Sequence, residues 1–261
     1  MRDATDLLTE LDAWREASRT VDVWWRDDDA AEASPALDAL VAAAHRHEAP
    51  LALAVIPAAL SPRLVACRDD PLLFVLQHGY AHTNHAAPGG RAVECGGDRP
   101  LRAVLDELGT GRDRLAAAFG DRFVPVMVPP WNRIEPAVAK ALPDLGYAGI
   151  SVFGPRETAS PQAACRHVNA HLDLLTWKGG ARFAGRDKLI RLAAERLADL
   201  RLGRSDPQEP FGILTHHLDH DAETGAFLEE LLALFAAHPA VRWRDAASLF
   251  AGPAVPAAGR R

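Results

Sequence analysis

Strand-like apolar runs alternate with helix-spaced stretches along the whole chain, and four of the runs lead into short polar clusters. The pattern predicts strands over 21–26, 51–56, 73–77, 123–128, 149–153, 172–177 and 211–215, with a short one over 241–243. Pro125 breaks the fourth run. Between the strands, apolar residues recur at helical spacing. Leu7, Leu8, Leu11 and Trp14 form one such face, and Leu37, Leu40, Val41 and Ala44 form another behind Ser34-Pro35, a good N-cap and first-turn pair. Leu101, Leu105, Leu108, Leu115 and Phe119 mark a third helical region, which Gly109-Thr110-Gly111 could interrupt. Leu189, Leu192, Ala193, Leu197 and Leu200 mark a fourth, and Phe227, Leu228, Leu231, Leu232 and Phe235 a fifth. About seven parallel strands alternating with helices read as α/β, an irregular (β/α) barrel in one domain over residues 1–251. Residues 86–98 read as a long functional loop, and residues 252–261 as a flexible tail.

A parallel barrel carries the C-terminal ends of its strands on one face. The four polar clusters therefore converge there. They are Arg26-Asp27-Asp28-Asp29, His78-Gly79-Tyr80-Ala81-His82, Pro129-Pro130-Trp131-Asn132 and Thr215-His216-His217. Carboxylates, imidazoles and a Pro-Trp rim at one mouth are the layout of a metal-dependent hydrolase.

Each cluster also has a plainer reading. Three adjacent aspartates repel one another unless a metal or an arginine offsets their charge, but aspartate also suits helix caps. Strand alternation places Asp27 and Asp29 on one side. His78 and His82, four apart, fit one side of a helical turn and, with a carboxylate, a three-ligand catalytic Zn²⁺; they also fit an exposed polar turn. Of His216 and His217 only one can face the site, or the pair simply opens a loop. Trp131 and Trp177 suit stacking on a sugar or ordinary core packing. His45 and His47 read as partners of a helix C-terminus, and His85 as a rim residue.

Composition narrows the field. A formal charge of -6 and a pI near 6.0 give no footprint for nucleic acid. No segment approaches the roughly 20 apolar residues of a membrane span. The acidic start lacks the basic and apolar regions of a secretory signal, and Cys67, Cys95 and Cys165 suggest neither a disulfide framework nor a zinc knuckle, so a reducing cytoplasm is the expected location.

Taken in order, the clusters resemble the motifs of the polysaccharide deacetylase family, metal-dependent de-N-acetylases. Arg26-Asp27-Asp28-Asp29-Ala30 resembles that family's Thr-Phe-Asp-Asp-Gly, which implies Asp28 as general base and Asp29 as metal ligand. His78 and His82 match its paired histidines, the other two ligands of a divalent metal, most simply Zn²⁺. Val128-Pro129-Pro130-Trp131-Asn132 resembles Arg-Pro-Pro-Tyr-Gly, with the Trp131 N–H at the oxyanion position and Pro129 and Asn132 beside it. Leu214-Thr215-His216 resembles the closing Leu-x-His and makes His216 the general acid, with Asp173 and Trp177 in the place of a supporting Asp-Trp pair. The resemblance spans Val21 to about His217 and implies a small-molecule or oligosaccharide substrate. Val128 departs from it, standing where the family has an arginine against the base; Arg26 or Arg133 would have to substitute. Two other readings remain beside it: a related hydrolase of cyclic amides or ureides, and an inactive carbohydrate-binding relative.

Overall fold

The computed structural model of the protein describes residues 5–156 and 165–251; the tail expected over 252–261 lies outside the described residues. The chain runs α1 (Thr5–Glu16), β1 (Val21–Ala30), α2 (Pro35–Arg46), β2 (Leu51–Val55), α3 (Pro62–Val65), β3 (Leu73–His78), α4 (Leu101–Phe119), β4 (Phe123–Val128), α5 (Pro136–Ala141) and β5 (Gly149–Ile150). It continues through β6 (Arg166–His167), β7 (Leu172–Asp173), β8 (Leu175–Thr176), β9 (Arg182–Phe183), α6 (Arg186–Arg201), β10 (Phe211–Thr215), α7 (Ala222–Ala237), β11 (Val241–Trp243) and α8 (Ala246–Phe250). The main sheet has the order β6-β5-β4-β3-β2-β1-β10-β7, every pairing parallel, with β11 beside the start of β1.

One extended segment bends this sheet into a barrel. Val168 N–H and Ala170 N–H donate to Ile150 and Val152 on one side, at 3.2 and 3.0 Å. His171 N–H then donates to Gly212 at 2.7 Å on the other side, and Leu172–Asp173 pairs in register with Ile213 and Leu214. The irregular (β/α) barrel is thus closed by residues with little strand-like hydrophobicity. A buried carboxylate holds the segment: Glu209 pairs with Arg196 at 2.5 Å and lies 3.2 Å from the His171 imidazole.

Alternation along the strands sorts the core into two layers. Trp24, Ala52, Ala54, Leu76, Val124, Val126 and Val128 face the barrel interior, with Leu249 and Phe250 of α8 packed among them. Val23, Trp25, Leu51, Leu53, Val55, Val75, Phe211 and Ile213 face the helices. Gly212 has no side chain because a Cβ there would lie 2.6 Å from the Trp24 indole nitrogen.

Three expected elements differ in detail. α4 runs unbroken through Gly109-Thr110-Gly111, and Gly111 serves close packing, since a Cβ there would meet Gln77 at 2.5 Å. The strand expected over 149–153 is a regular ladder only over Gly149–Ile150; beyond it the Asn169 side chain accepts the Val152 N–H, and an isolated bridge joins Phe153 to Ala170. The one expected over 172–177 splits at Asp173, whose carboxylate accepts the Leu175 N–H at 2.9 Å and bends the chain. β8 then pairs antiparallel with β9 instead. Helix α2 begins as expected, with Ser34 Oγ accepting the Leu37 N–H. No helix of the described residues is long and apolar enough to cross a membrane.

Candidate active site at the C-terminal mouth of the barrel

The same alternation aims the polar clusters. Trp24, Arg26 and Asp28 are two apart along β1, so the buried guanidinium and carboxylate continue the row that begins with the interior tryptophan. Strand geometry places Arg26 on Asp28's side. Arg26 Nε lies 2.8 Å from Asp28 Oδ1 and Nη2 donates to Oδ2 at 3.1 Å, a two-point clasp. The rest of the fork donates to Asn132 Oδ1 at 3.0 Å and Ser151 Oγ at 2.6 Å. Arg133 turns away and donates to the Ala92 carbonyl. A guanidinium therefore reaches Asp28 although Val128 has none to give.

Asp29 departs from alternation. Its backbone is left-handed (φ 68°) and the β1–β2 register shifts between Asp27 and Ala30. Such a bulge re-aims a side chain. The expectation that Asp27 and Asp29 share a side is therefore corrected: Asp27 stays on the outer face and Asp29 swings to the mouth. There Asp29 Oδ1 lies 3.0 Å from His78 Nε2 and 3.2 Å from His82 Nε2. Burial pushes the Asp29 carboxyl up, but the His78 bond and the charges of the histidines outweigh it and bring it down to about 2.

Among the described residues, Asp29, His78 and His82 are the group of three whose ligand atoms lie within 4.8 Å of one another. The donors fit a divalent cation. His78 Nδ1 donates to the Val128 carbonyl at 2.9 Å, so Nε2, which faces Asp29, is the atom that would bind a cation on giving up its proton.

His82 arrives by a route the sequence hid. Instead of a helical turn, a loop with Gly79 and His82 both left-handed brings it back to His78. Buried Glu94, from the long loop after β3, accepts the N–H groups of Tyr80, Ala81 and Thr83 at 3.0, 2.7 and 3.3 Å. A Cβ at Gly79 would lie 1.9 Å from Glu94 Oε2, so the glycine makes room for this carboxylate. Glu94 was not among the expected site residues; its only sequence signal is an acid inside the long loop. Glu94→Ala is expected to weaken metal binding about 10–100-fold, the usual cost of losing a group that orients a ligand. Titration calorimetry with Zn²⁺ checks this, and unchanged affinity refutes it.

The remaining residues form the other wall. The Trp131 ring lies 4.5 Å from the His82 ring, centroid to centroid, with Trp131 and Asn132 both left-handed after Pro129-Pro130. Backbone strain of this kind clusters at functional sites. His216 faces inward, with Nε2 4.0 Å from Asp28 Oδ2 and Nδ1 3.9 Å from Asp173 Oδ1. Half-exposed Trp177 stands edge-on to His216 and donates from its indole to Asp173 Oδ2 at 2.8 Å. Burial raises the Asp173 carboxyl, partly offset by His216 and Trp177. His217 turns outward to Asp27. His45 and His47 lie elsewhere, paired with Asp70 and Glu229.

No protein-family model matches the sequence, and none of the curated proteins does. Solved structures do. A Mycobacterium smegmatis protein assigned as a polysaccharide deacetylase superposes with a TM-score of 0.64 at 16% identity, over 89% of each chain. A family 4 carbohydrate esterase from Streptomyces lividans, in complex with acetate, gives 0.53 at 19% identity, over 85% of this chain and 91% of that one. A family 4 pseudoenzyme variant with restored activity gives 0.57 at 14% identity, over 89% of this chain and 68% of that one. The chain has the polysaccharide deacetylase fold.

Proposed function

We propose that the protein is a metal-dependent hydrolase that removes an N-acyl group, most simply acetyl, from an amino sugar or related amide. One juxtaposition carries the reading. A cation-fitting Asp-His-His group sits beside a second carboxylate already clasped by arginine, with an imidazole 4.0 Å away. Asp29, His78 and His82 would hold the metal, with Zn²⁺ the natural choice for two imidazoles and a carboxylate. A divalent cation held there would supply the Lewis acidity that activates water near pH ~7 and polarises an acyl oxygen.

The chain's own residues do the rest. Asp28, oriented by Arg26, accepts the proton of the attacking water. The Trp131 N–H, on a backbone stiffened by two prolines, donates to the developing oxyanion. His216, with Asp173 and Trp177 behind it, protonates the departing amine. Trp131, beside His82, and half-exposed Trp177, beside His216, offer faces for a sugar ring. The Arg26 clasp favours an active enzyme over an inactive binding relative, and the full donor set favours the metal-dependent reading over a cyclic amide hydrolase that dispenses with one. The three free cysteines accord with a cytoplasmic location.

The test is acetate release from N-acetylated amino sugars and their oligomers. Zn²⁺- or Co²⁺-reconstituted protein is expected to release acetate, and chelator-treated protein to lose that activity and recover it on metal return. A fully metal-loaded protein that releases no acyl group from any amide would sink the reading.

A further inference from the structure

Asp27 takes no part in the chemistry above, yet it is among the most completely buried charges in the molecule. It points to the outer face of the sheet, where an apolar side chain would be expected and where the family resemblance has a phenylalanine. Its two oxygens take three donors, all from the end of β10. Thr215 Oγ1 donates to Oδ2 at 2.7 Å, His217 N–H donates to Oδ2 at 3.0 Å, and His217 Nδ1 meets Oδ1 at 2.5 Å. Thr215 is itself fixed by the Trp25 indole N–H at 2.9 Å. Asp27 thus grips the residues on both sides of His216 while preceding Asp28 directly.

We infer that Asp27 and His217 form a clamp that sets the separation of Asp28 and His216, making both of them positioning residues for the hydrolysis proposed above. The argument is geometric. β1 and β10 are in register through Asp27 and Thr215, after which their ladder ends. Past that point β1 bulges and the chain after β10 leaves as a turn. Backbone pairing between these two strands therefore fixes nothing beyond Asp27, where Asp28 and His216 must be held; β1 pairs again only with β2, at Ala30. The Asp27 carboxylate ties the two strand ends together at the place where the ladder stops. The site's base and acid lie across the same gap, 4.0 Å apart. Charge and hydrogen bonding to a buried carboxylate give the tie rigidity that an apolar contact lacks.

The tie is tested with Asp27→Asn, His217→Ala and His217→Asn. The first presents an amide donor to donors, the second removes the imidazole, and the third returns an N–H near the position of Nδ1. Asp27→Asn and His217→Ala are expected to lower kcat on the order of 10²-fold, the cost of about 1 Å of misplacement. KM and metal content stay within twofold of the parent, and His217→Asn recovers part of the loss. In an Asp28→Asn background the Asp27→Asn substitution should cost almost nothing more, since the group it positions is gone. Crystal structures give a readout independent of any substrate: the Asp28–His216 separation should widen in Asp27→Asn. An unchanged separation in the variants overturns the clamp even if the protein proves inactive on amides. An equal loss of kcat in the presence and absence of the Asp28 carboxylate overturns it as well, reducing the pair to a general stabiliser. If Asp27→Asn does not fold, the two His217 variants carry the same comparison.

Discussion

Asp28→Asn is expected to keep its divalent cation and lose about 10²–10⁴-fold in turnover, the usual contribution of a general acid–base group. Asp29→Asn, one residue on, is expected to lose the cation. The asymmetry follows from the bulge. Asp28 remains in the interior row of β1, with Oδ2 hydrogen-bonded by the Arg26 guanidinium and Oδ1 2.8 Å from its Nε. Asp29, which alternation alone would put on the outer face with Asp27, is turned to the mouth at φ 68° and presents Oδ1 to both imidazoles. An oxygen already engaged by a guanidinium makes a poor ligand, whereas one facing two Nε2 atoms is placed to share a cation with them. Metal stoichiometry by mass spectrometry, read together with acetate release, distinguishes the two residues. If Asp28→Asn loses the metal and Asp29→Asn retains it, the roles are exchanged.

Much of this arrangement follows from period-two reasoning along the strands. Once Trp24, Leu76, Val126 and Gly212 face inward, alternation carries Arg26, Asp28, His78, Val128 and His216 to the same mouth. What stayed hidden are the places where the chain breaks its own period or borrows a distant group. The bulge at Asp29 has no signature, since aspartate tolerates left-handed backbone without requiring it. His82 looked like the far end of a helical turn because the Glu94 carboxylate that shapes its loop lies 11 to 14 residues beyond the amides it binds. The closing segment was missed for a different reason. Its pairing rests on Val168, Ala170 and His171 rather than on a run of β-branched residues, so only the half that runs along β10 was legible. Short helices α5 and α8 lack the length over which an apolar period can be recognised.

Arg26 gives the second large effect, and it reaches both stability and rate. Its guanidinium is fully buried, bound to an almost fully buried carboxylate and to the side chains of Asn132 and Ser151. Truncation of one partner leaves the other charge uncompensated in the interior, which costs about 3–5 kcal/mol. Arg26→Met is therefore expected to lower the thermal midpoint on the order of 10 °C, since each kcal/mol moves a chain of this size by roughly 2–4 °C. The loss should be greater in metal-stripped protein, where no cation stands near Asp28. Turnover should fall on the order of 10²-fold, because the base loses its orientation. Arg26→Lys keeps the charge but not the planar fork, so it should restore stability more than rate. The position of Val128 allows a sharper test. Val128 also faces the interior, at the end of the strand whose carbonyl fixes His78. Arg26→Met combined with Val128→Arg would deliver a guanidinium to the same carboxylate from β4, and is expected to recover part of the lost rate. If Arg26→Met alone keeps both its midpoint and its turnover, Asp28 does not depend on this arginine, and the activity assigned to that carboxylate must rest on another group.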